Sequence, residues 1–206
     1  MDAIKRKPQI KDHPLWELEK IADDILKDAP SCIQGVRIDI ERLIQTKYEI
    51  IIDTHFGLQE KYGVMAYMLT QGNRLFIDDK LQDNPRSEQR YRFTLAEELA
   101  HYILRKDIYK DSKTIDERIE QESLLTRQEK WFLETNAKAL ASAILMPKTV
   151  IEKRIDNLFS IVGNNSANTS SIIDKLSREF DVSKQAVIRR LLNLGYHKRS
   201  DLKLKD

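Results

Sequence analysis

Three side chains in the stretch Thr94–Arg105, TLAEELAHYILR, have the types and spacing to hold a metal ion and move a proton. Glu97 and His101 are four residues apart, so on a helix they project from one side, one turn apart. Glu98 stands beside them, a carboxylate placed to take a proton from water activated by such an ion. Leu95, Leu99 and Ile103, with Ala96, Ala100 and Leu104, recur at helical spacing and form the face such a helix would bury.

The arrangement has the shape of the metallopeptidase helix His-Glu-x-x-His, except that Glu97 stands where the first histidine belongs. Carboxylates are legitimate zinc ligands, so Glu97 fits a ligand role through an oxygen. It equally fits a role that needs no metal. Thr94-Leu95-Ala96-Glu97 has the spacing of a capping box, with threonine at the cap and glutamate bonding back to the Thr94 amide. A third ligand has to come from elsewhere, and Glu134 is the best candidate. The metal-free alternative for His101 is a core-edge histidine hydrogen-bonded to Glu134. His13, His55 and His197 read as solvated or structural, with His55, just after a strand, left open as a ligand.

The elements that position these groups follow from periodicity. Leu15–Lys27 suits an amphipathic helix, and Asp39–Gln45 a short second one. Tyr48–Asp53, Val64–Leu69 and Arg74–Asp78 read as strands, the last two joined by the turn signal Thr70-Gln71-Gly72-Asn73. They predict a small antiparallel sheet with one face on helices, an α+β arrangement. The polar segment Lys106–Lys130 reads as a mobile connection with one exposed helix. Trp131–Met146 is a strong helix stopped at Pro147, its alanines permitting close approach of the Thr94–Arg105 helix. Gly163–Ser171 reads as a linker or the start of a new subdomain, before a helix, turn and helix that end at Gly195.

The 206 residues are enough for a core of one domain and an appendage. The expected boundaries are a loose tail over 1–14, a main domain over 15–162 and a helix-turn-helix-like subdomain over 163–206. With 41% hydrophobic residues, 33% charged and a net charge of +2, nothing marks an overall nucleic-acid or membrane field. The single cysteine, Cys32, excludes an internal disulfide and a thiolate zinc site. No secretory signal opens the chain, and no apolar run reaches the ~20 residues of a membrane span. A cytoplasmic protein is expected.

Taken together, the motifs have a familiar order. Arg92-Phe93-Thr94-Leu95-Ala96-Glu97-Glu98-Leu99-Ala100-His101 resembles the active-site helix of the ImmA/IrrE family of zinc metallo-endopeptidases, R-F-T-L-A-H-E-L-G-H. Glu134 to Pro147 is similar to that family's E-A-N-x-F-A-A-x-L-L-M-P, and Leu176–Ser183 with Arg190–Gly195 to its helix-turn-helix-like end. The likeness spans roughly residues 15 to 197. It implies a zincin-like α+β domain in which Glu98 is the catalytic glutamate and Glu97, His101 and Glu134 are the metal ligands. One imidazole and two carboxylates make a harder, more anionic set, so zinc is the first expectation and manganese or magnesium the alternatives. Either activity is reduced, or the chain is a pseudo-peptidase that kept the fold. The resemblance further implies a regulator that cleaves or binds a helix-turn-helix transcriptional repressor. Over 171–206, nine Lys/Arg stand against five Asp/Glu, a local excess of +4. Arg189, Arg190, Lys198 and Arg199 are the candidates to reach DNA phosphates, and a helical module that packs on the peptidase domain or recognises a protein is the alternative.

Overall fold

The computed structural model describes residues 10–82, 87–109, 112–162 and 168–196. The fold is α+β: helices enclose a small sheet and the site lies between them. Helix α1 (Leu15–Lys27) starts after the extended Pro14 and lies against α7 (Arg127–Leu145). A short hairpin, β1 (Ile33–Gln34) with β2 (Arg37–Ile38), turns at Gly35, where φ is +65°. Asp39 caps α2 (Ile40–Lys47) by accepting from the Arg42 amide at 3.1 Å.

The main sheet holds β3 (Ile51–His55), β4 (Ala66–Leu69) and β5 (Arg74–Asp78) in the order β3-β5-β4. The hairpin expected from Gly72 and Asn73 is present: both have positive φ, and β4 and β5 pair antiparallel from Ala66 opposite Ile77 to Leu69 opposite Arg74. The expectation of a wholly antiparallel sheet needs correction. Strand β3 runs parallel to β5, Ile51 opposite Arg74 and His55 opposite Asp78. Helix α3 (Leu58–Tyr62), held between Gly57 and Gly63 at positive φ, carries the chain past the central position, which β5 then fills. Alternation sets the two faces. Leu75 and Ile77 join the main core, whereas Tyr67 and Leu69 meet Leu58 and Ile115 in a smaller cluster on the other side. Strand β4 is therefore an edge strand, with its free side toward the site.

After α4 (Asp79–Gln82) comes α5 (Glu88–Tyr109), which continues through the Thr94–Arg105 stretch until a break in helical geometry at Arg105. Leu95, Ala96, Leu99 and Ala100 are fully buried against α7, where Ala137, Leu140, Ala141 and Ile144 are buried in turn. These small side chains bring the two helix backbones close, which lets short carboxylate and imidazole side chains of both helices meet. Helix α6 (Ile115–Ser123) occupies the segment expected to be a mobile connection. It is capped by Thr114 and anchored by buried Ile115. Helix α7 starts earlier than periodicity indicated, because Thr126 and Glu129 form a complete capping box.

Helix α8 (Lys148–Val162) follows Pro147. Helices α9 (Asn168–Phe180) and α10 (Lys184–Asn193) complete the described chain, and the end of the expected linker, 168–171, is already the first turn of α9. Ile172, Leu176, Phe180, Val182, Val187 and Leu191 belong to the same hydrophobic cluster as Leu95 and Leu140. Two buried arginines fasten this pair of helices. Arg92 on α5 donates to the Ile38 carbonyl at 3.0 Å and to the Asp181 carbonyl at 3.1 Å. Arg190 donates to the Met146 carbonyl at 2.9 Å and to both carboxylate oxygens of Glu19. At the other end, residues 10–14 are not loose. Ile10 is buried beside Leu133, and Asn136 bonds the Lys11 carbonyl and the His13 amide.

Candidate metal centre and active site

Glu97, His101 and Glu134 come together where α5 and α7 pack. Their nearest donor atoms all lie within 4.8 Å of one another, two from successive turns of α5 and one from α7. A divalent ion with ligand bonds of about 2.0–2.2 Å could be enclosed by such a set after small side-chain adjustments. His101 is buried, and burial first, then Arg118, pushes its imidazole down to about 3. It is therefore neutral, the form that ligates metals. Its Nε2 is 3.7 Å from Glu134, too far for a hydrogen bond, and the neutral ring makes the contact polar rather than ionic. Its buried Nδ1 has no hydrogen-bond partner among the described residues. The donor chemistry and the placing both fit a metal ion.

The capping alternative for Glu97 fails. Helix α5 begins at Glu88, so Thr94 is mid-helix and its amide already has a place in the helical ladder. The carboxylate of Glu97 instead faces Lys138, one turn beyond Glu134 on α7, with 3.5 Å between Glu97 and the ammonium. Lys138 also lies 2.9 Å from Glu134. One ammonium thus bridges two of the three expected ligands. Burial pushes the Glu97 carboxyl up to about 7, with Glu134 and Glu98 adding to the rise and Lys138 opposing it. Burial works against charge on Lys138, but Glu134 and Glu97 hold its ammonium above the ordinary lysine range.

Glu98 is 8% exposed and ion-paired: the Arg118 guanidinium donates to it at 3.0 Å. Burial raises its carboxyl above the ordinary range against the pull of that arginine. Arg118, 6% exposed on α6, also donates to the Met68 carbonyl of β4 at 3.2 Å and to Glu122 at 3.1 Å. These groups line a cleft of about 770 Å³ that runs from Val64 and Tyr67 past Glu97, Glu98 and His101 to Glu134 and Lys138. Sequence reasoning missed both Arg118 and Lys138. For Lys138 the signal was its i, i+4 spacing from Glu134; for Arg118 it was a shared helical face with Ile115 and Glu122.

The other expected residues fall elsewhere. His55 hydrogen-bonds the Tyr67 hydroxyl at 3.0 Å and packs edge-on against Tyr62, Tyr67 and Phe76, away from the three donors. His13 lies beside Glu17 and Arg105. Tyr102 packs on Tyr48 on the core side of α5. Arg189 is exposed, but Arg190 is corrected from phosphate contact to core residue: it is 1% exposed, with its guanidinium committed to Glu19 and Met146. Lys198, Arg199 and His197 lie outside the described residues.

The order of these parts is matched by a family model. The IrrE N-terminal-like domain, Peptidase M78, matches residues 54–192, from the end of β3 to α10. The chain belongs to this family. The M78 family is metal-dependent, and Glu97, His101 and Glu134 form a group that could hold a metal ion within the matched residues. Among solved structures, a Mycobacterium tuberculosis transcriptional regulator is similar, with a TM-score of 0.56 and 18% identity. The similarity covers 85% of this chain and 46% of that one, and at this identity it speaks to fold alone. Comparison with curated proteins finds no match. Among the described residues, no helix is long and apolar enough to cross a membrane.

Proposed function

We propose that this chain is a regulatory, metallo-endopeptidase-like protein that acts on a helix-turn-helix transcriptional repressor. The observation that carries the reading is the convergence of Glu97, His101 and Glu134 in an M78 fold, with Glu98 beside them in one cleft. Glu97, His101 and Glu134 would hold a divalent cation, zinc first and manganese or magnesium as alternatives for a set with two carboxylates. Such a cation, when bound, polarises the scissile carbonyl and lowers the pKa of water. Glu98 takes the proton from the attacking water and delivers it to the leaving amine. For that, the Arg118 guanidinium has to swing off its carboxylate. The same movement frees the Met68 carbonyl, so that an extended peptide can pair with the open edge of β4. The regulatory half of the reading is suggested by the name of the similar solved structure, a transcriptional regulator, whose likeness in itself shows the fold.

A second reading, a protein that binds its regulator without cleaving it, is favoured by the two cations on the acidic groups: Arg118 on Glu98 and Lys138 across Glu97 and Glu134. Elemental analysis of the purified protein separates the two. Stoichiometric metal that is lost in Glu134→Ala and His101→Ala, with cleavage of a helix-turn-helix repressor abolished by Glu98→Gln, is the expected result. Metal-free protein whose stability is unchanged by chelator sinks the first reading and leaves the second.

A further inference from the structure

A second cleft, of about 720 Å³, lies between the start of α1, one side of α7 and the first turns of α10. It adjoins the first at Phe93, Lys138 and Ser183, which line both. Its walls are apolar where Leu15, Leu18, Trp131 and Ala139 face it, and Trp131 is left 58% exposed there. Among the polar groups that line this space, which also include the Asp12 carboxylate and the Lys138 ammonium, three bear on its ligand. Arg189 is exposed and has no ion-pair partner among the described residues. The ten-residue helix α10 presents its N-terminus: the Ser183 hydroxyl takes the Ala186 amide at 3.1 Å, and the amides of Lys184 and Gln185 have no acceptor within the helix. Ser142, 1% exposed on α7, lines the cleft with its Oγ buried and unpartnered.

A concave space of this size, apolar with a few converging polar groups, is the usual form of a small-molecule site. An exposed guanidinium and a helix N-terminus that line one cleft favour negative charge there. We propose that this cleft binds a small organic anion: its carboxylate or phosphate head between Arg189 and the start of α10, its apolar body against Leu15, Leu18 and Trp131.

Isothermal titration of the full chain with octanoate and with anilinonaphthalene sulfonate, each in metal-free buffer, tests this. Saturable binding is expected, with octanol binding at least about tenfold more weakly than octanoate because it cannot make the charge-assisted contact. Arg189→Gln, a surface change that leaves the core intact, should weaken octanoate by about tenfold or more. Ala139→Phe should block the cleft, whereas Ile119→Gln, which alters only the first cleft, should leave octanoate binding unchanged. Equal affinity of wild type and Arg189→Gln, equal affinity for octanoate and octanol, loss of binding in Ile119→Gln, or no saturable binding of either probe up to about 1 mM, overturns the proposal.

Discussion

Removal of the Arg118 guanidinium, as in Arg118→Met, would leave the Glu98 carboxylate in the core without its partner. The chain length and apolar stem are nearly preserved, so the cost is mainly that of the stranded charge. Both side chains are about nine-tenths buried, which puts the pair among those whose breaking costs about 3–5 kcal/mol. The Met68 carbonyl loses a donor as well, adding about 1 kcal/mol. Against a domain stability of about 5–15 kcal/mol, the variant folds but with a visibly lower urea midpoint. The loss has a defined pH dependence. Glu98 already titrates above the ordinary range, and without Arg118 burial raises it further. A carboxyl raised in the folded state contributes stability at low pH and loses it as pH rises through the folded value. The gap to wild type should therefore be wider at neutral pH than at mildly acidic pH, as Glu98 takes up a proton. Urea unfolding followed by circular dichroism at both pH values measures it. Glu98→Gln in the Arg118→Met background should recover a large part of the loss, since no charge is then stranded. A loss under about 1 kcal/mol, the same at both pH values and additive with Glu98→Gln, would refute the argument that the pair is a buried, mutually dependent one.

Lys138→Met should raise divalent-cation affinity by about tenfold or more in a chelator competition, because the ammonium that bridges Glu97 and Glu134 repels the ion; unchanged affinity would mean that the cation does not enter between those carboxylates. Glu97→His should tighten zinc relative to manganese, read in the same competition, since an imidazole replaces a hard oxygen donor. Glu97→Gln bears on pH. The Glu97 carboxyl is held at about 7 against an ordinary 4.5, so it stabilises the fold below 4.5 and that contribution is lost as pH rises through 7. Metal-free wild type should lose stability relative to Glu97→Gln over that window, and parallel pH profiles would contradict it. Arg190→Leu should cost about 3 kcal/mol or more in urea unfolding by stranding Glu19 and the Met146 carbonyl, whereas Arg189→Leu should cost under about 0.5.

Much of the frame was legible because its signals are local. The 3.6-residue period of Leu95, Leu99 and Ile103, the alanine run on α7 and the Gly72-Asn73 turn each report on a few neighbours, and each is found in the structure. The pairing direction of β3 was not legible, because alternation within a strand carries no information about where its neighbours lie. Capping was ambiguous for a related reason. Thr94-x-x-Glu97, Thr114-x-x-Glu117 and Thr126-x-x-Glu129 share one spacing, but the latter two sit at helix starts and the first lies inside a helix that begins six residues earlier. Arg118 and Lys138 escaped because hydrophobic periodicity cannot see a buried charge. An arginine in a polar segment looks like solvent-facing surface until the carboxylate it neutralises is brought to it by another helix.

The contact between Glu19 and Arg190 joins residues 171 positions apart. During synthesis on a ribosome, α1 emerges long before its counter-charge exists. Glu19 and the end of α7 must wait, solvated or held by a chaperone, while the rest of the chain is added at about 5–20 residues per second. Helix α7, which carries Glu134, packs against α1 and α10 together, so the Glu97–His101–Glu134 cluster is fully framed only when nearly all of the matched domain has been made. Long-range closure of this kind slows folding: a chain cut short before Arg190 would lack the clamp on Glu19 and on the Met146 carbonyl.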